Sequence, residues 1–126
     1  MSWFAAHCVS YVKFLDGEPQ DRYQLEENIV LVQAEGFDEA KKLGIEIGKS
    51  CYAHGELTAD GRPAKYEFIG VRKVIEVSAI ATLPAPSPEW RPGSGAELSY
   101  STYATRDEAS MRAFARGESA ELECLD

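Results

Sequence analysis

The chain has 126 residues, 44% of them hydrophobic, with 13 Lys+Arg against 21 Asp+Glu for a formal net charge of −8. That is the size of one ordinary domain with enough apolar surface for its own core, which excludes a disordered tail, a disulfide-stapled mini-protein and a membrane channel. An acidic balance repels phosphate backbones, so nucleic acid is not an expected partner, whereas a basic protein is.

Residues 3–14 read as a first strand. Trp3, Ala5, Val9 and Tyr11 fall on one face with His7 and Lys13, and Phe4, Ala6, Cys8, Val12 and Phe14 fall on the other. Both faces are largely apolar, which predicts a central strand. Asp16-Gly17-Glu18-Pro19 is a turn cluster, and residues 22–34 form a second strand centred on Ile29-Val30-Leu31-Val32. The short connection predicts an antiparallel hairpin.

A helix begins at Gly36 or Phe37, with Asp38 and Glu39 where the helix dipole favours negative charge. Phe37, Ala40, Leu43, Gly44 and Ile47 recur at helical spacing, and Gly48 or the residues just after it end the run. Its two internal glycines make this helix weak alone, so it must dock on the sheet. Gly44 either allows close approach to a strand or is simply tolerated. Residues 50–64 are a loop or loose hairpin with Asp60-Gly61 as a tight turn. Residues 65–82 read as one long strand, bent or bulged near Gly70.

Residues 83–96 hold Pro84, Pro86, Pro88 and Pro92 together with Trp90, and are expected to form an exposed loop, not a domain boundary. Residues 97–104 form a fourth strand. Thr105-Arg106-Asp107-Glu108 has the spacing of a capping box and opens a second helix that runs to about Ala115, with Gly117 at its C′ position. Ala120, Leu122 and Cys124 alternate with polar residues as a short last strand. The expected fold is one α+β domain over residues 1–126. It is a mainly antiparallel sheet of about five strands, in the order ββα-ββα-β, with two helices on one face.

Cys8, Cys51 and Cys124 show no CxxC spacing, which suits reduced thiols and a cytoplasmic location. Met1-Ser2-Trp3 opens no leader pattern, and no apolar run reaches the roughly 18 residues of a membrane span. Cys51 and His54 have CxxH spacing, and His7-Cys8 would complete a zinc set. Neighbours on a strand point to opposite faces, however, so that set does not converge easily, and no metal or cofactor is expected. The same thiols and imidazoles lack a recognisable nucleophile turn, and no GxSxG, HExxH, Walker A or GxGxxG motif occurs, so no catalytic residue is assigned.

Glu26 and Glu27 precede the apolar centre of the second strand. One of them should point inward and find Arg22 or Arg72 as a structural ion pair, or else serve as a ligand-binding carboxylate. Trp90 has no obvious core register and is expected as a lid or as an interface anchor.

The chain resembles one uncharacterised bacterial family, the domain of unknown function 4288. The resemblance is carried by Trp3-Phe4-Ala5-Ala6, by Glu26 and Asn28-Ile29-Val30-Leu31 running to Ala34, and by Glu39-Ala40. It continues through Phe68-Ile69-Gly70-Val71-Arg72-Lys73 and Gly95-Ala96-Glu97-Leu98 with Tyr100, nearly the whole chain. It implies a small bacterial cytosolic domain and assigns no reaction.

The favoured reading is a non-enzymatic, self-associating protein-binding module, regulatory or like an immunity protein that caps a basic toxin. The alternative is a small enzyme or small-molecule-binding domain with a cleft lined by Tyr11, Glu26, Arg72 and Tyr100. There Arg72 would hold an anionic group, Glu26 would be the acid or base, and the tyrosines would orient the ligand. A third reading is an assembly domain that only pairs with itself through an exposed sheet face.

Overall fold

The computed structural model describes residues 2–53, 55–77 and 97–125. Strands β1 (Ser2–Phe14) and β2 (Tyr23–Ala34) form a hairpin, followed by helix α1 (Phe37–Cys51). Strands β3 (Glu56–Ala59) and β4 (Arg62–Glu76), then β5 (Glu97–Thr105), helix α2 (Glu108–Ala115) and the two-residue β6 (Glu123–Cys124), complete the order. The sheet is antiparallel throughout its pairs and runs β3-β4-β1-β2-β5-β6. The α+β class and the central place of the first strand are as expected, with six strands where about five were expected. The additional strand is β3, which pairs with β4 across Asp60 and Gly61, both at positive φ as a tight two-residue hairpin requires.

The helices correct the expectation of a shared face. Phe4, Ala6, Cys8, Val30 and Val32 pack with Ala40, Leu43 and Ile47 of α1. Val9, Tyr11 and Leu25 pack with Met111, Phe114 and Ala115 of α2. Successive strand residues point to opposite faces, so α1 and α2 lie on opposite sides of the sheet. This is why β1 is buried almost along its whole length. A strand apolar on both faces shows that both are covered, but not which helix covers which.

Close approach sets the seat of α1. A side chain at Gly44 would place its Cβ 2.9 Å from Ala6 Cβ and 3.2 Å from Val71 Cγ2. Gly48 faces the ring of Phe68 in the same way. Of the two readings of Gly44, close approach is the one that holds. The helix continues past Gly48 to Cys51 because its last turn still packs over β4.

The start of α2 differs from the expected capping box. Thr105 is still paired with Tyr23 in the sheet, so Asp107 is the cap. Its Oδ1 accepts from the Ala109 amide at 2.9 Å and its Oδ2 from the Ser110 hydroxyl. Gly117 ends the helix at φ 82, as expected, and any Cβ there would stand 2.5 Å from the Arg72 carbonyl oxygen. The β1–β4 pairing shifts register on either side of Val9, opposite Gly70, where a bulge was expected. The expected continuation of this strand over 78–82 and the Pro-rich loop over 83–96 lie outside the described residues. No helix among the described residues is long and apolar enough to cross a membrane.

Candidate functional site

Along the α1 face, the strands change character where the helix ends. On β1, Phe4, Ala6 and Cys8 give way to Ser10; on β2, Ala34, Val32 and Val30 give way to Asn28 and Glu26. The register sets Ser10 opposite Glu26, Cys8 opposite Asn28, and Asn28 opposite Tyr100 of β5. Directly opposed residues share a face, so this polar row lies side by side across three strands. The last turn of α1, with Cys51 and its C-cap Tyr52, stands at one end of the row, and Tyr66 of β4 stands at one side. Glu97 and Tyr100 form the other side. The result is an open cleft of about 390 Å3.

Among the described residues, no Lys or Arg lines it. Asn28 is 2% exposed; its Nδ2 donates to Glu97 Oε1 at 2.5 Å, and its Oδ1 is buried without a hydrogen-bond partner among the described residues. A buried acceptor left without a donor is uncommon, because such a group forfeits its solvation for nothing. Burial pushes the Tyr52 phenol up to about 12, and Glu97, Cys8, Cys51 and Glu26 add to the rise. Burial, and then Glu26, also raises Tyr66. Both phenols therefore keep their protons at neutral pH and stay available as donors beside the two carboxylates.

The expected four-residue cleft does not form. Glu26 and Tyr100 line the α1-side cleft, whereas Tyr11 and Arg72 lie on the α2 side. The reason is strand alternation: Tyr11 follows Ser10 on β1 and so faces the other way. Its hydroxyl donates to Glu67 Oε2 at 2.9 Å, and burial, with that bond, pushes its pKa up to about 12.

Arg72 takes the structural role foreseen for one of the paired arginines. Glu27, next to Glu26 and 5% exposed, points to the α2 side. Arg72 Nη1 lies 3.2 Å from Glu27 Oε2, and its guanidinium stacks 4.5 Å over the Phe114 ring. His7 Nδ1 lies 3.4 Å from the same oxygen. Burial works to raise the Glu27 pKa, but the His7 and Arg72 partners outweigh it and hold the carboxyl below its ordinary value. Arg22 reaches instead toward Glu123 Oε2, at 3.9 Å near the surface.

The zinc set is divided in the same way. Cys8 Sγ donates to the Gly44 carbonyl oxygen at 3.4 Å on the α1 side, while His7 faces Glu27 on the other. Burial, then Cys51, pushes the Cys8 thiol up to about 12, which leaves it a poor nucleophile. Cys51 is exposed at the end of α1; His54 lies outside the described residues, as does Trp90. Among the described residues, no three His, Cys, Asp or Glu side chains are grouped to hold a metal ion.

Sequence reasoning missed Ser10, Asn28, Tyr52, Tyr66 and Glu97 as lining residues. One signal was present: the alternate positions of the second strand turn from apolar to polar at Asn28. What it lacked was the register that sets Tyr100 and Ser10 beside that step.

No curated protein and no solved structure matches the chain. A family model described as a domain of unknown function (DUF4288) matches residues 3–84. The match takes in β1 through β4 and α1, and so Ser10, Glu26, Asn28, Cys51, Tyr52 and Tyr66 of the cleft. It stops short of β5, so the resemblance covers less of the chain than expected, and Glu97 and Tyr100 lie beyond it. On this match the chain belongs to the DUF4288 family.

Proposed function

We propose that this domain is a binding module that receives a basic side chain of a protein partner in the α1-side cleft, with no catalytic role. The observation that carries the reading is the pair of carboxylates, Glu26 and Glu97, that line the cleft with no Lys or Arg among the described lining residues. A guanidinium or ammonium group supplies the counter-charge that the described lining does not, and charge-assisted bonds to carboxylates are the stronger kind. The three tyrosines add ring faces on which a cation can rest. The net charge of −8 acts at longer range, drawing a basic partner in and turning phosphate-bearing ones away.

A second reading rests on the cleft volume of about 390 Å3, which is enough for a small amine. It keeps Glu26 and Tyr100 from the small-molecule alternative and drops Tyr11 and Arg72. Self-association belongs to the proposal in the same way and is read from the mass of the native assembly.

The test is a two-dimensional NMR titration of the full chain with butylguanidinium, using neutral butylurea as the control. The proposal expects shifts at Glu26, Asn28, Tyr66 and Tyr100 with butylguanidinium only. Glu26→Gln should weaken binding about tenfold, roughly the loss of one charged contact. Equal response to the two probes, or shifts confined to other surfaces, contradicts it.

A further inference from the structure

Glu97 and Tyr100, which line the cleft, belong to β5. Among the described residues, β6 pairs with β5 only at Tyr103 and Ala104, and the Leu125 amide donates to the Thr102 carbonyl oxygen. No described strand lies against the outer edge of residues 97–101. Glu97 through Tyr100 are exposed, Tyr100 by 62% and Leu98 by 47%. Proteins usually guard such an edge with lysine, proline or a covering element. This one carries neither residue type between 97 and 101, and Glu97 is its one charge, a negative one.

We propose that the partner binds as an extended basic peptide that adds a strand to the outer edge of β5 and lays one Lys or Arg side chain into the cleft. The inference rests on the cleft reading above and specifies how the cation arrives. Geometry favours it. Strands in a sheet lie about 4.8 Å apart, so an added strand would stand roughly 10 Å from β2 and half that from β5. Its α1-side residues would sit beside Tyr100 and Glu97, the near wall of the cleft. Glu26 and Asn28 lie one strand further in, within reach of long stems such as those of Lys and Arg. The stem would cross the Tyr100 ring on the way, the arrangement that a cation with an apolar stem prefers. Main-chain bonds would supply affinity, and the Glu26 and Glu97 carboxylates would supply the preference for a basic residue.

The test uses the full chain and a seven-residue, end-capped peptide of alternating threonine and valine with one central arginine. Companion peptides carry citrulline in place of arginine, or N-methyl groups on alternate backbone amides of either register. Butylguanidinium is titrated in parallel. The proposal expects the arginine peptide to shift Glu26 and Asn28 and to slow amide exchange across 97–101. Citrulline or N-methylation should weaken binding at least tenfold, and butylguanidinium should shift the cleft without slowing exchange at the β5 edge. Butylguanidinium binding in the cleft with no peptide response at 97–101, or N-methylation without effect, overturns strand addition and leaves the cleft reading standing. Silence toward both probes overturns the cleft reading itself. Slow exchange at 97–101 before any peptide is added, in a dimeric protein, assigns the edge to a second copy and overturns the peptide proposal.

Discussion

Glu27 shows how one buried carboxylate is held ionised. It faces the α2 side with Arg72 Nη1 and His7 Nδ1 against the same oxygen, and both favour its charged form. Replacing it in Glu27→Gln leaves the Arg72 guanidinium part-buried without its counter-charge, and should cost about 3 kcal/mol in urea unfolding at neutral pH. The pH dependence has a definite sign. The folded pKa lies below the ordinary glutamate value of 4.5, so the stabilisation is complete above that value and is lost as pH falls through the lower folded one. The stability gap between wild type and Glu27→Gln should therefore narrow as the pH drops below 4.5.

Gly44 offers a second test at this scale. Alanine gains helix propensity but brings its Cβ within 2.9 Å of Ala6 Cβ, so α1 must lift from the sheet. Gly44→Ala should lower stability by about 1–2 kcal/mol net, read from the same unfolding curves. The ion-paired carboxylate was legible in kind, because an acidic pair entering an apolar strand must send one member inward; for Gly44 the sequence left close approach and simple tolerance both open, and the packing against Ala6 decides between them. The orphaned Asn28 acceptor was not legible, because satisfaction depends on partners that only the register brings near.

At the scale of elements, turn and cap chemistry decided the outcome. Asp60-Gly61 was readable as a hairpin turn because positive φ at both positions favours these residue types. The second helix was misread by two residues because Thr105 has the right spacing for a cap but is held by the β2–β5 pairing. The cap passes to Asp107. Asp107→Ala should therefore cost about 1 kcal/mol, the usual value of an N-cap. Thr105→Ala should change stability by less than about 0.5 kcal/mol. Equal losses from the two substitutions would restore the capping-box reading.

On the scale of the whole molecule, the placement of the helices defines the site. With α1 and α2 on opposite faces, β1 is buried from both sides and the sheet has two separate cores. The part of the α1 face that no described helix covers becomes the cleft. Sequence periodicity reported that the first strand was central, but two apolar faces cannot say which helix covers which, and the expected site residues were split by that ambiguity. The charge of −8 is likewise a property of the whole chain. Salt screens such fields within about 8 Å at physiological ionic strength. Butylguanidinium affinity should fall several-fold between roughly 0.05 and 0.5 M NaCl, while any butylurea affinity should hold constant.

The Glu26 and Glu97 carboxylates together receive the cation in this reading. A crystal structure of the full chain grown with butylguanidinium tests it most directly. A planar guanidinium is expected between the Glu26 and Glu97 carboxylates, with its alkyl chain leaving past Tyr100 toward β5. An empty cleft at saturating butylguanidinium, or the cation bound elsewhere on the surface, would contradict it.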